Sequence, residues 1–370
     1  MNSVLKKEQV LAELRKRLQN GEIPPGSKLK SGVELAQEFN VSHITIRSVL
    51  RELSLSGELM VVHGRGTFAP EAPVRIAPKI LVIRLGAGFE HPGHYIMPEF
   101  IARTNELGGS VTEINVQFIR NNPSETMVTV LRNSGYTGVL LDGSSYTGKE
   151  PELKVLRQLN LPVILSHANS QDAQITGYPA LGCNLKQAWK DGLESICATG
   201  RKRIALLLCP HGRNIYRGRT IEEHLQLLKE CGADSDPELI EICANVSAAD
   251  YDQSISDAVE KLLSLPNRPE AIYCFSDFLA LKAYNVIKDK KLRIPEDIAV
   301  MGFCGYPGGS LLKPALATVD EDYAAHGRIA AEKLCAPEQW FKNSSWSGWH
   351  EIPHKVCCRA SIGKKMTTKS

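Results

Sequence analysis

Residues 21–68 read GEIPPGSKLKSGVELAQEFNVSHITIRSVLRELSLSGELMVVHGRGTF. Before this stretch, Val10, Leu11, Leu14 and Leu18 recur at helical spacing within 6–20. Gly21 ends that helix, and Pro24, Pro25 and Gly26 prevent an immediate restart. Ser31 with Glu34 three residues on is a capping box, and Leu35, Ala36 and Phe39 then mark a short amphipathic helix. Asn40 suits the left-handed residue of a tight turn. Ser42 caps the next helix, which turns Ile46, Val49, Leu50 and Leu53 inward. Its other face carries His43, Thr45, Arg47 and Ser48, short or cationic side chains able to donate to phosphates and base edges. Gly57 stops this helix, and 59–62 and 67–68 read as two short strands. Between them His63, Gly64, Arg65 and Gly66 make a basic, sterically open tip. An arginine between two glycines can enter a minor groove or lie along phosphates. The ordered set predicts a winged helix-turn-helix reader of DNA over 1–69. The plainer alternative is a small helical domain whose hairpin binds a protein.

Working outward, charge supports the first reading. Residues 1–70 hold ten lysines and arginines against seven acids, and the whole chain 44 against 41. The entire cationic excess of three therefore sits in the head, as an electrostatic DNA footprint requires. An excess that small gives one copy only weak, salt-sensitive affinity, which argues for binding as a homodimer. A length of 370 residues implies two to three domains, and 43% hydrophobic content is ample for their cores. No apolar run reaches the length of a membrane span, and charged residues from Lys6 leave no signal-peptide core. All ten cysteines lie between 183 and 358 without a Cys-x-x-Cys pair. A reduced, cytoplasmic setting is expected, with no metal, cofactor or catalytic constellation.

The stretch APEAPVRIAP, 69–78, has three prolines and short side chains, and reads as a semi-stiff linker over 70–78. From 79 to 361 short apolar runs alternate with helical patterns. Strands are expected at 80–84, 138–141, 163–166, 204–208, 239–243, 271–275 and 298–302. Helices are expected at 97–107, 185–199, 221–231, 249–263 and 278–289. This alternation predicts an α/β/α body with parallel sheets, and its length predicts two lobes with a cleft. Ligands in such folds sit at the carboxyl ends of strands. Those positions hold Glu90, His91, His167, Asn169, Arg213, Arg217, Asp277, Cys304 and Tyr306. Asp277 is either a helix N-cap or a grip for two hydroxyls. Arg217 opens a helix, where a cation opposes the macrodipole, so an anionic or hydroxyl partner is expected. Residues 362–370 read as a flexible tail.

Residues 5–68 resemble the winged-helix domain of the gluconate-repressor (GntR) family. The shared residues are Gly21, Pro24, Pro25, Gly26, Leu29, Ser31, Leu35, Ala36, Val41, Ser42, Thr45, Arg47, Leu50, Leu53, Gly57, Gly64, Gly66, Thr67 and Phe68. By position the resemblance implies DNA contacts from Ser31, His43, Ile44, Thr45, Arg47, Arg65 and Gly66, and with Ser42 and His63 these are the expected DNA-binding residues. Where that family usually has Pro-Ser-Glu-Arg, this chain has Lys30, Ser31, Gly32 and Val33, and His43-Ile44 replace Arg-Thr. The operator is therefore expected to differ from the family's common sites. Residues 79–361 are similar to the effector domain of the lactose-repressor (LacI) family, which shares the fold of periplasmic sugar-binding proteins. The similarity is densest over AIYCFSDFLALKAYNVIKDKKLRIPEDIAVMGFCGYP, 271–307, with further matches at 199–208, 217–225, 316–334 and 358–361. It implies effector contacts from Asp277 and Arg217. Asn184 stands where the family often has Asp, and Cys304-Gly305 replace its paired Asp. A GntR-type head on a LacI-type body is the arrangement of arabinose-repressor-like regulators.

The expectation is a cytoplasmic, DNA-binding transcriptional regulator, a repressor that binds a near-palindromic operator as a homodimer. Its affinity would be set by a small polar effector, a sugar above all, closing the two lobes. The effector residues are expected to be Glu90, His91, His167, Asn184, Arg217, Asp277 and Cys304. Two alternatives stand: a ligand-independent regulator with a degenerate cleft, and an α/β enzyme. For the latter, Gly86 and Gly88 hint at a dinucleotide loop, but His91 takes the third glycine's place.

Overall fold

The computed structural model describes residues 2–71, 77–86, 90–122, 124–210, 220–246, 248–341 and 344–364. The chain divides into two compact units, Met1–Ala77 and Pro78–Ser370. The first holds helices α1 (Asn2–Gln19), α2 (Gly32–Glu38) and α3 (His43–Leu55) and the antiparallel pair β1 (Met60–Val62) and β2 (Gly66–Phe68). The expected core residues Val10, Leu11, Leu14, Leu35, Ile46, Val49 and Leu53 are buried together with Leu29, Leu59 and Ala69. Ser31 and Glu34 form the complete capping box, and Asn40 turns between α2 and α3 at φ 49°. A further bridge from Lys28 to Phe68 widens the wing, and Ala69 N donates to Ser27 O at 2.8 Å. Arg15 reaches from α1 to the buried Glu58, tying the first helix to the base of the wing.

The second unit begins with β3 (Lys79–Arg84), α4 (Gly93–Glu106), β4 (Ser110–Asn115), α5 (Val116–Arg120), α6 (Ser124–Asn133) and β5 (Gly138–Asp142). It continues through α7 (Pro151–Leu159), β6 (Val163–Ser166), α8 (Ser170–Thr176) and β7 (Ala180–Gly182). A second α/β array follows: α9 (Leu185–Cys197), β8 (Ile204–Leu208), α10 (Ile221–Glu230), β9 (Ile240–Ile242), α11 (Tyr251–Leu263), β10 (Ala271–Cys274), α12 (Asp277–Asp289) and β11 (Ala299–Met301). The chain closes with β12 (Thr318–Asp320), α13 (Tyr323–Cys335), β13 (Trp349–Glu351) and β14 (Lys355–Cys357).

Two parallel sheets result, of order β13-β7-β6-β5-β3-β4 and β11-β10-β8-β9. Each is covered on both faces, so its central strands are apolar throughout: ILVI at 80–83 and IALLL at 204–208 are fully buried. In the first lobe α4 and α13 close one face around Phe100, Leu140 and Leu334, while α6 and α7 close the other. In the second, α9 and α10 pack around Trp189, and α11 and α12 around Val259 and Ile287. The chain crosses between lobes three times: after β7 into α9, after β12 into α13, and between β13 and β14. The two-lobed architecture agrees with the sequence expectation.

Several elements differ from it. The edge strand β4 was not expected: among Ser110, Thr112, Glu113 and Asn115 it has only Val111 and Ile114 as apolar residues, one packed on each face of the sheet, so no apolar run or period marks it. β7, β12, β13 and β14 are three residues each, too short to carry a period. The run at 239–243 is a 3-10 turn at Pro237–Leu239 followed by a strand at 240–242. A tail starting at 362 is corrected too. Ile362 is buried in the second lobe's core, and its carbonyl accepts from Arg201 Nη1 at 2.9 Å.

Candidate nucleic-acid interface and effector cleft

In the head, the cap built by Ser42 fixes the start of α3. Its Oγ accepts from Thr45 N at 3.2 Å and lies 2.8 Å from Thr45 Oγ1. The Thr45 hydroxyl is thus held within the cap rather than offered outward. Ser31 Oγ accepts from Glu34 N at 3.3 Å, and the Ser31 hydroxyl in turn stabilises the Glu34 carboxylate and lowers its pKa. His43 lies against the start of α2: a Cβ on Gly32 would sit 3.2 Å from its Nε2. Ile44, Arg47 and Ser48 are exposed on the face opposite the core. On the wing, His63, Gly64 and Arg65 are exposed, and Arg65 N closes the tip on Val62 O at 3.0 Å. Gly66 takes φ 118°, and a Cβ there would come within 2.7 Å of Lys28 Cε. The strand pairing therefore needs glycine at this position. Lys7, Arg15, Arg17 and Lys30 are paired to acids. Among the described residues no ion pair engages Arg47, Arg51 or Arg65. The same holds for Lys6 and Lys28, so α3 and the wing hold three of the five such cations among the described residues.

In the first lobe a polar row crosses the carboxyl edge of the sheet. Arg84 pairs in register with Asp142, and Asp142 with Ser166, at the ends of β3, β5 and β6. Asp142 is 1% exposed, and Arg84 Nε and His91 Nδ1 each stand 3.6 Å from Oδ2, too far for hydrogen bonds. Burial raises its pKa to about 6, against the pull of His167 and Arg84. Ser166 Oγ, Arg84 Nε and Nη2, and both Asp142 oxygens are buried without a hydrogen-bond partner. Buried polar groups are rarely left so. Here their hydrogen-bonding capacity is left unused within the described residues. His167, at φ 54°, follows Ser166 and places Nε2 3.5 Å from Glu321 Oε2. Glu321 sits on the second crossing and accepts from Tyr323 Oη at 3.1 Å. Burial drives His326 down to about 3, so it stays neutral.

His167 adjoins an aromatic wall through Tyr323, with ring centroids 6.0 Å apart. Tyr306 packs on Tyr95 at 4.4 Å, on Phe278 at 4.9 Å and on Tyr323 at 5.7 Å between ring centroids. Glu90 joins the two lobes: Tyr251 Oη on α11 donates to its carboxylate at 3.0 Å, and Tyr306 Oη to its carbonyl at 2.7 Å. Burial raises the Glu90 pKa, with the Tyr251 bond opposing it.

The expected effector residues are distributed unevenly. Glu90, His91 and His167 lie in this network. Asp277 is neither an N-cap nor a free grip. Ser276 is the cap, while Asp277 accepts from Thr318 Oγ1 at 2.6 Å and from Tyr306 N at 2.7 Å, behind the aromatic wall. Asn184 caps α9, accepting from Gln187 N at 3.2 Å. Cys304 is buried at φ 97° and bridges to Asp320. Arg213, Arg217 and Gly88 lie outside the described residues. Asp142, Ser166, Glu321, Tyr95, Tyr251, Phe278 and Tyr323 escaped the sequence reading. Asp142 and Ser166 close expected strands and were findable by that criterion. The aromatics sit on helices, where a tyrosine reads as core.

Comparison with known proteins follows the same division. Residues 6–69 match the family described as bacterial regulatory proteins, gntR family, and residues 194–337 the periplasmic binding protein-like domain. The chain is 25% identical to the "Probable HTH-type transcriptional repressor ExuR" of Bacillus subtilis, over 65% of this chain and 68% of that one. It is 22% identical to the arabinose metabolism transcriptional repressor of Geobacillus stearothermophilus, over 88% and 89%. The lac repressor dimer bound to operator and the anti-inducer ONPF shares the fold, with TM-score 0.60 and 20% identity over 78% of this chain and 95% of that one. Head and body together define a DNA-binding transcriptional regulator. In particular, the chain joins a gntR-family DNA-binding domain to a periplasmic-binding-protein-like domain.

Proposed function

We propose that this chain is a ligand-responsive repressor. It binds a near-palindromic operator as a homodimer and answers to a small polar effector, a sugar, held between the lobes of 79–361. Arg47, Ile44, Ser48 and Ser31 meet the major groove or its phosphates, and His63, Arg65 and Gly66 reach from the wing. The effector rests on Arg84, Asp142, Ser166 and His167 and is faced by Tyr95, Tyr306 and Tyr323, with Glu90 governing closure. As a regulator of DNA it acts in the cytoplasm, and no described helix is long and apolar enough to cross a membrane.

The observation that carries this reading is the row of buried, unpartnered polar atoms across the ends of β3, β5 and β6, in a chain that also carries a winged helix. Such atoms cost stability unless a ligand or water satisfies them, and the family of the head supplies the output. A relative named for arabinose metabolism agrees with a sugar. A second reading, a ligand-independent regulator, is favoured by Asp277, whose two oxygens are already taken by protein donors.

The test is operator selection from random duplexes, then binding by fluorescence anisotropy with and without pentoses, hexoses, sugar acids and sugar phosphates. An effector should change operator affinity by about 5- to 150-fold. A selected operator that no compound affects, with no thermal shift either, supports the ligand-independent reading. Absence of any sequence preference overturns the regulator reading.

A further inference from the structure

We propose that Ile44 reads the 5-methyl group of a thymine in the major groove and so fixes one base of each operator half-site. The proposal rests on the DNA-binding reading above. Ile44 is the second residue of α3 and is 81% exposed. Single exposed apolar residues are ordinary on protein surfaces, so exposure alone decides nothing. The surroundings decide it. Of the first four residues of α3, Ile46 is wholly buried in the head's core. The Thr45 hydroxyl is held 2.8 Å from Ser42 Oγ in the helix cap. The His43 ring lies back over Gly32, at the start of α2. Ile44 is the apolar residue that leaves the first turn outward, on the face that also presents Arg47 and Ser48.

Being β-branched, it holds a narrow set of rotamers, so its methyl groups stand at a fixed height above the helix. Among the base edges of the major groove the apolar feature is the thymine methyl; the other groups are hydrogen-bond donors and acceptors. Buried against donors and acceptors, Ile44 would strip them of water without replacing a bond. Against a methyl it buries apolar surface. Arg47, three residues on, lies on the same helical face about 5–6 Å away between Cβ atoms. With base pairs roughly 3.4 Å apart, the thymine read by Ile44 lies within one or two base pairs of the group that Arg47 contacts.

The experiment uses the full-length protein and its selected operator, with each thymine replaced in turn by deoxyuridine, which removes only the methyl. Wild type should lose affinity at one symmetry-related position, by about fourfold per half-site, the value of one buried methyl. Ile44→Ala should bind the unmodified operator more weakly and be indifferent to the methyl at that position. Arg47→Ala should bind more weakly but keep the discrimination. The proposal is overturned if wild type tolerates deoxyuridine everywhere, or if Ile44→Ala discriminates as wild type does. Failure to select any operator would instead remove the DNA-binding reading itself, and the proposal with it. Because Ile44 touches no core residue, the variant folds, and unchanged melting verifies that.

Discussion

Tyr251 and Glu90 are 161 residues apart, yet the phenol of one donates to the carboxylate of the other at 3.0 Å, from a helix of the second lobe to the first. Glu90 also accepts from Tyr306 through its carbonyl. One residue of the first lobe thus holds two of the second.

Tyr251→Phe keeps the ring in the second lobe's core and removes only the donor. A hydrogen bond to a charged group contributes about 1.5–3 kcal/mol, so the balance between closed and open lobes should move about 10- to 100-fold toward open. Small-angle scattering should show a larger radius of gyration for the variant without ligand. Identical curves would mean that the contact does not hold the lobes.

Asp142 makes stability depend on pH. Between the ordinary aspartate value near 4 and about 6, the folded chain keeps a proton that the unfolded chain has released. Stability therefore falls as pH rises through this window. Asp142→Asn removes a penalty of the order of 2–3 kcal/mol at pH 7.5 and should melt higher than wild type there. The two should converge near pH 4. With the effector site proposed above, the same variant should also bind effector more weakly. A variant that melts lower at every pH would place Asp142 in a structural bond instead.

Gly32 and His43 form a pair between the two helices of the turn. Gly32→Ala puts a methyl 3.2 Å from the imidazole, so the His43 ring must shift by a few tenths of an ångström. The fold should not suffer, because alanine favours a helix over glycine by about 1 kcal/mol. Operator selection with Gly32→Ala should yield a changed base at the position nearest the His43 ring. An unchanged operator with unchanged affinity would show that the ring's placement is irrelevant to recognition.

Asp277→Ala should unfold the second lobe rather than only empty a pocket. It strands the buried Tyr306 amide and removes the short bond from the Thr318 hydroxyl, which keeps only Gly305 N at 3.3 Å and Val319 O at 3.4 Å, and a loss of about 1–3 kcal/mol is expected for each group left unsatisfied. Calorimetry should show a markedly lower melting temperature. A variant as stable as wild type that no longer binds effector would return Asp277 to the ligand site.

The head was legible almost to the residue because its determinants are local. Caps lie three residues from the amides they satisfy, Asn40 and the glycines mark their own turns, and the core follows a single helical period. The lobes were legible as fully apolar strands between amphipathic helices. Where the reading left alternatives open, the residues obey local rules that say nothing of their neighbours: Asn184 and Asp277 suit a site equally well as caps or braces.

What the sequence by itself determined is therefore the kind of molecule: a winged helix with its cationic excess, a proline-rich join, and a two-lobed α/β body whose strand ends face a cleft. These depend on side-chain period, capping and turn chemistry, all encoded within a few residues. Which groups share the cleft was decided only by the tertiary structure. Strand register sets Arg84, Asp142 and Ser166 side by side, and three chain crossings bring Tyr251, Tyr306 and Tyr323 against Glu90 and Tyr95. No local rule spans the 161 residues between Glu90 and Tyr251. That contact exists because two sheets, each burying its own apolar faces, leave their polar strand ends facing one another.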